Sequence, residues 1–261
     1  MPEDVLLLDQ LLVAPLDTAG ATALIAGRDA AEPFVYTVTI NVQIAILASR
    51  QEPGLKEAIA GAWLVLNDSR VLARLHRWIT GQAVSVAPGS DATLLMLQTV
   101  IRKTDPITII GGGPLLVDAL KARFGLERIA QHEPPMGYIR KPEAREAAIR
   151  FVQDHPARFV FVATGAPRSE ILLAEIQHRG GSTGIGLAVG SGMLFAVGLT
   201  QRAPAWMQER GVEWLHRACT SPARLGRRYA KDLPHLLRMT WRAWRLERAK
   251  RAGRLERARR A

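Results

Sequence analysis

Short apolar runs rich in β-branched and aromatic residues recur along the chain, separated by stretches that each hold at least one helix. The runs are Phe34–Thr39, Trp63–Asn67, Ile107–Ile110, Phe159–Ala163 and Ile185–Val189. Nearly continuous apolar strands of this kind are those of a parallel sheet covered on both faces, since a sheet open to water on one side alternates apolar with polar residues. Helices are predicted near Val42–Ser49, Pro53–Ala60, Ser69–Ile79, Pro114–Phe124, Pro142–Asp154 and Pro167–Arg179. Four of these open with proline, a residue favoured in the first helical turn because its missing N–H has no partner there anyway. The alternation predicts an α/β fold: a Rossmann-like, doubly wound, mostly parallel sheet.

Charge divides the chain differently. The formal net charge is +11, yet residues 217–261 alone hold 15 Lys and Arg against 3 Asp and Glu. The first 216 residues are left with 20 basic and 21 acidic side chains. The basic excess therefore belongs to a C-terminal device and not to the fold as a whole, which weakens a nucleic-acid reading. With 261 residues and 48% hydrophobic content, the chain suffices for one α/β core and an appendage. The boundaries expected are 1–200 for the core and 201–261 for an arginine-rich helical appendage.

A single cysteine, Cys219, excludes an internal disulfide and a cysteine-based metal cluster. Near the N-terminus Asp9 interrupts the apolar stretch, so the basic and apolar regions of a signal peptide are missing and a cytoplasmic protein is expected. The longest stretch free of Lys, Arg, Asp and Glu, Gly180–Gln201, has the length of a membrane span but contains seven glycines. It reads as a buried strand entering a glycine-rich loop.

Ligands of doubly wound sheets sit beyond the carboxyl ends of the strands, which singles out the polar residues there. Asp68 follows one strand and precedes a helix, where a carboxylate serves either as general base or as helix cap. Thr39 and Asn41 end another strand and are either sugar- or uracil-binding groups or a strand-end turn and cap. Gly111, Gly112 and Gly113 form a turn whose amides either contact a diphosphate or simply reverse the chain. Glu133 lies at the distance where dinucleotide folds grip a ribose, but Leu116 stands where the fingerprint needs its third glycine, so a nicotinamide cofactor is disfavoured. Gly165, Pro167, Ser169 and Glu170 follow the next strand, with Glu170 placed either for a ligand or to complement a helix dipole.

Residues 201–228 resemble the end of the WecG/TagA/CpsF glycosyltransferases. That family's pattern runs R-A-P-x-W, then G-x-E-W-L-x-R, a Pro-x-R step and paired basic residues. Arg202, Ala203, Pro204, Trp206, Gly211, Glu213, Trp214, Arg217, Pro222, Arg224, Arg227 and Arg228 fall in step with it. The resemblance extends over about Phe34 to Tyr229. It implies an inverting transfer of sugar from a UDP-sugar to a polyprenyl-diphosphate-linked saccharide at the inner membrane face, with Asp68 as the base and Thr39-x-Asn41 in the donor pocket. The segment Gly165–Glu170 is similar to the family's G-x-G-x-P-K-Q-E, with Ser169 where glutamine is usual. Ser69 replaces the glycine of the family's Asp-Gly, and the arginine often found upstream of Gly89 is missing. These departures bear on the donor sugar, for which glucose is favoured over N-acetylmannosamine or its uronic acid.

The sequence holds no Asp-x-Asp and no zinc-type histidine spacing, so neither a metal nor any other cofactor is expected. Arginines are suited to neutralise the leaving diphosphate instead, through their planar fork of donors. Arg202, Arg217, Arg224, Arg227 and Arg228 are the candidates for the diphosphate or lipid acceptor, against a reading as solvated surface charges. Further on, Leu233, Leu236, Leu237, Trp241 and Trp244 fall on one helical arc flanked by Arg238, Arg242 and Arg245. This is the pattern of a helix lying in the headgroups of an anionic membrane, with core packing and a nucleic-acid arm as rivals. Residues 251–261 read as a solvated or disordered basic end. A homo-oligomer is left open, and the rival from another class is a non-enzymatic polybasic adaptor.

Overall fold

A computed structural model describes residues 3–8 and 10–260, with side chains described except at 224 and 254–260. Asp9 and Ala261 thus lie outside the described residues, as does the side chain of Arg224. The chain opens with a hairpin, β1 (Val5–Leu7) and β2 (Leu11–Val13), followed by α1 (Thr18–Ala26). Next come β3 (Val35–Ile40), α2 (Val42–Ser49), α3 (Leu55–Ala60), β4 (Leu64–Asn67), α4 (Arg70–Thr80) and α5 (Gly89–Thr99). The second half holds β5 (Ile107–Gly111), α6 (Leu116–Phe124), β6 (Ile129–His132), α7 (Pro142–Asp154), β7 (Phe159–Ala163), α8 (Arg168–Arg179) and β8 (Ile185–Ala188). Four helices close the chain: α9 (Gly192–Ala196), α10 (Ala205–Glu209), α11 (Glu213–Thr220) and α12 (Arg227–Arg260).

Strands β3 to β8 form one six-stranded, all-parallel sheet in the order β4-β3-β8-β7-β5-β6. Their side chains alternate between two hydrophobic clusters. In β7, Phe159 and Phe161 join the cluster containing α5, α6 and α9, while Val160 and Val162 join the one containing α2, α4, α7 and α8. The five predicted strands are all present within a residue at each end. The sixth, β6, went unpredicted because its Ile-Ala-Gln-His is half-exposed at the sheet edge and shows no apolar run. Of the four prolines, only Pro142 occupies the first turn of its helix. Pro53 precedes a left-handed Gly54, Pro114 lies in the turn before α6, and Pro167 is the residue before α8.

From β5 the chain passes to α6 on one face, and from the adjacent β7 to α8 on the other. Such a reversal opens a crevice at the carboxyl ends of the strands. The hairpin is tied to the other edge of the sheet: Ala14 N–H donates to the Val65 carbonyl at 2.8 Å. His76 of α4 accepts from the Leu8 N–H at 3.2 Å through Nδ1, and burial holds its pKa below the ordinary imidazole value.

Helix α12 corrects the sequence reading in two respects. Its backbone continues through Arg260, so the basic end is helical and not irregular. The apolar arc is also split. Met239 and Ala243 are buried on the cluster beneath α2 and α4, and Leu236 and Trp244 pack against the same cluster. Only Leu233, Leu237 and Trp241 of that arc remain outward, together with Arg238, Arg242 and Arg245. An arc wider than one contact stripe can serve two surfaces, and helices α2 and α4 take the inner half.

Candidate active site

Asp68 stands at the end of β4, its N–H donating to the Ile40 carbonyl of β3 at 2.9 Å. It is not the helix cap. Ser69 caps α4 by accepting from Leu72 N–H at 3.2 Å, leaving the Asp68 carboxylate to accept from Gly89 N–H at 2.8 Å. The fully buried Asn67 fixes this turn. Its amide donates to the Ser85 carbonyl at 3.0 Å, its side-chain oxygen accepts from Ser69 N–H at 3.1 Å, and its carbonyl accepts from Ala87 N–H at 2.8 Å. Sequence reasoning passed over Asn67 as part of the strand, although a polar residue closing an otherwise apolar run was a visible signal.

Burial pushes the Asp68 carboxyl up to about 6; the Gly89 N–H and Arg217 pull it down, while Glu213 and Asp91 push it up further. These neighbours come from three directions. Asp91, in the first turn of α5, pairs with Arg202 from the loop before α10. Glu213 and Arg217 pair across one turn of α11 at 2.6 Å, and the Arg217 guanidinium lies over the Phe195 ring of α9 at 5.0 Å. The segment from Arg202 to Arg217 reaches this place by docking on α4. Arg74 donates to the carbonyls of Glu209, at 3.0 Å, and Arg210. Gly211, at φ 63°, has so little room that a Cβ would lie 3.2 Å from that of Arg70. Both Arg202 and Arg217 keep a buried Nε without a hydrogen-bond partner among the described residues.

Thr39 joins the cluster, for a Cβ on Gly89 would lie 3.1 Å from its Oγ1. Asn41 caps α2, its side-chain oxygen accepting from Ile44 N–H at 3.1 Å. Arg228 stacks on Tyr229 at 5.1 Å, and Arg227 is exposed; neither is a neighbour of Asp68 among the described residues.

A second group lies at the ends of β5 and β7. Gly111 abuts Thr164, and Gly112, at φ 95°, leaves 2.4 Å between a Cβ and the Leu116 side chain. The polar groups of this turn are engaged internally: Gly113 N–H donates to Glu133 at 2.8 Å, and Gln131 donates to the carbonyls of Gly111 and Gly113 at 2.9 Å each. Past Gly165 and Pro167, Ser169 is 0% exposed and shares a hydroxyl chain with Thr164, at 3.2 Å, which in turn meets Tyr138 at 3.0 Å. Glu170 is 3% exposed, one carboxylate oxygen has no partner among the described residues, and burial raises its pKa to about 7. Gly165, Pro167 and Arg168 remain half-buried at the rim.

Three strand spacings separate the ends of β4 and β7, roughly 14 Å at about 4.8 Å each. Among the described residues, no group of three or more His, Cys, Asp or Glu side chains is arranged to hold a metal, and no helix is long and apolar enough to cross a membrane. The sequence profile of the glycosyl transferase WecG/TagA/CpsF family matches residues 7–251. The chain belongs to this family. It is thereby a glycosyltransferase of cell-surface polysaccharide synthesis, working between a sugar donor and a lipid-linked acceptor.

Proposed function

We propose that this protein transfers a hexose, with glucose the favoured candidate, from a UDP-sugar to a polyprenyl-diphosphate-linked saccharide. The reaction proceeds with inversion, without a metal, on the inner face of the cell membrane. The observation that carries the reading is Asp68: a carboxyl released from helix capping by Ser69, raised to about 6, with Arg202 and Arg217 beside the same turn. A base poised near neutrality combines a high ionised fraction with useful proton affinity. The acceptor hydroxyl oxygen bonds to the anomeric carbon while its proton passes to Asp68. The bond from that carbon to the diphosphate breaks on the opposite face, and UDP departs with the electron pair. Arginine donors fixed before the reaction stabilise charge that grows on the departing oxygen.

The roughly 14 Å between the strand ends that carry Asp68 and Gly165 is the gap an extended nucleoside-diphosphate sugar would bridge. In this reading Thr39 and Asn41 flank the sugar, Gly111, Gly112, Gly165, Pro167, Ser169 and Glu170 form the nucleotide end, and Arg227 and Arg228 extend the anion path to the acceptor. Leu233, Leu237 and Trp241 with Arg238, Arg242 and Arg245 give α12 its membrane face, while Trp244 anchors the helix to the core. N-acetylmannosamine and its uronic acid are the alternative donor sugars.

A panel of UDP-sugars offered with a short-chain polyprenyl-diphosphate saccharide tests the reading. Transfer from UDP-glucose that persists in excess chelator and gives a product of inverted anomeric configuration is expected. Retention of configuration, or activity abolished by chelator and restored by magnesium, overturns the mechanism. Absence of UDP binding in calorimetry overturns the donor class.

A further inference from the structure

Helix α4 carries three arginines, Arg70, Arg74 and Arg77, and no acidic residue. Its outward side exposes Arg77 and Trp78, while Arg74 is held by the carbonyls of Glu209 and Arg210; Trp78, at 70%, is the most exposed tryptophan of the molecule. One residue further, Ile79 and Thr80 border a cavity of about 440 Å³ whose apolar walls include Leu6, Leu8 and Ala243. Lys250 and Arg251 also line it, with Glu247 as its one carboxylate. Arg251 donates to the Ile79 carbonyl at 2.9 Å, joining α12 to the end of α4. The helix therefore pairs an exposed indole and an apolar hollow with cations that its own sequence leaves unbalanced.

We infer that this side of α4 is a second contact with an anionic lipid bilayer, independent of the outward stripe on α12. Indole rings settle at the headgroup level, where an apolar body and a polar N–H are both accommodated, and arginines beside them meet lipid phosphates. The neighbouring α12 repeats the pattern, Arg245 lying over the Trp241 ring at 4.8 Å. Two such helices packed side by side fix an orientation that a single amphipathic helix leaves free to roll. Asp68 lies two residues before α4, whose eleven residues span about 16 Å, so the base and Trp78 sit near opposite ends of one helix. The inference rests on the membrane location proposed above.

The test uses full-length protein and sedimentation with vesicles of phosphatidylcholine, with and without phosphatidylglycerol. A double variant, Arg77→Gln with Trp78→Ser, is expected to bind the anionic vesicles about tenfold more weakly, while its UDP binding in calorimetry is unchanged. In a second measurement, Trp78→Phe is expected to lower the share of tryptophan fluorescence quenched by brominated lipids. Full vesicle binding by the double variant, with loss of binding in the α12 variant Arg238→Glu/Arg242→Glu/Arg245→Glu, overturns the α4 contact and leaves the membrane location standing. Full binding by both variants overturns the two together. Unchanged vesicle binding with a dimer converted to monomer in light scattering reassigns the face to a second copy of the chain.

Discussion

The two ends of the crevice are built on opposite terms. At the β5 and β7 end, glycine turns and buried hydroxyls consume their polar groups among themselves: Gly113 on Glu133, Gln131 on two carbonyls, Ser169 on Thr164. At the β4 end, Asp68, Asp91 and Glu213 face Arg202 and Arg217, and two guanidinium Nε atoms have no partner among the described residues. Apart from one Glu170 oxygen, the first end satisfies itself and is suited to hold shape, whereas the second retains unbalanced charges and is suited to act on a ligand. Residues beyond 200 contribute to the second, through Arg202, Glu213 and Arg217.

The largest effect that would sharpen this contrast is on turnover. Asp68→Asn is expected to lower it by roughly 10²-fold or more, the scale for loss of a general base. Its melting temperature at pH 7 should rise, because the neutral amide removes the cost of an ionised carboxyl held in a buried turn. Turnover within a few-fold of wild type would break the assignment of chemistry to the β4 end. At the opposite end, Gly112→Ala should cost stability, by about 1–3 kcal/mol in denaturant unfolding, for it places a Cβ at positive φ against Leu116.

Smaller effects concern protons. Activity should rise with pH through about 6 as Asp68 ionises, since only its unprotonated form accepts the acceptor proton. Asp91→Asn removes a negative neighbour and should move that limb to lower pH, which a rate profile will show. An unmoved limb would detach Asp91 from the base.

A last expected change, on stability and not on turnover, is at Glu170. Its folded pKa, about 7, lies above the ordinary 4.5, so its contribution to stability is complete below pH 4.5 and is lost as pH rises to about 7. Glu170→Gln should flatten that part of the stability profile in thermal melts between pH 4.5 and 7. A wild-type slope that persists in the variant would place the titration elsewhere.

The core was open to reading because its signals are local. Each buried strand announces itself within a few residues, and the position of Asp68 after Trp63–Asn67 follows from where that run stops. Helix α5 escaped because it begins at Gly89, a poor helix former, though its first turn supplies both the N–H that holds Asp68 and the carboxylate that holds Arg202. The cap at α4 illustrates a finer limit. Asp68 and Ser69 are both good caps, and one residue of helical phase decides which side chain turns inward and which stays available.

By itself the sequence determined the parallel α/β sheet, the strand-end location of the polar residues, and the concentration of positive charge after residue 216. Periodicity and composition are properties of the chain at short range, so no docking was needed to see them. Only the tertiary structure decided that Arg202 meets Asp91, that Arg217 reaches the Asp68 turn, and that Leu236 and Trp244 pack against the core while Leu237 and Trp241 do not. A helix offers all its faces along the sequence. Which one is buried depends on the surface it meets, and for α12 that surface is built by α2 and α4, more than a hundred residues earlier in the chain.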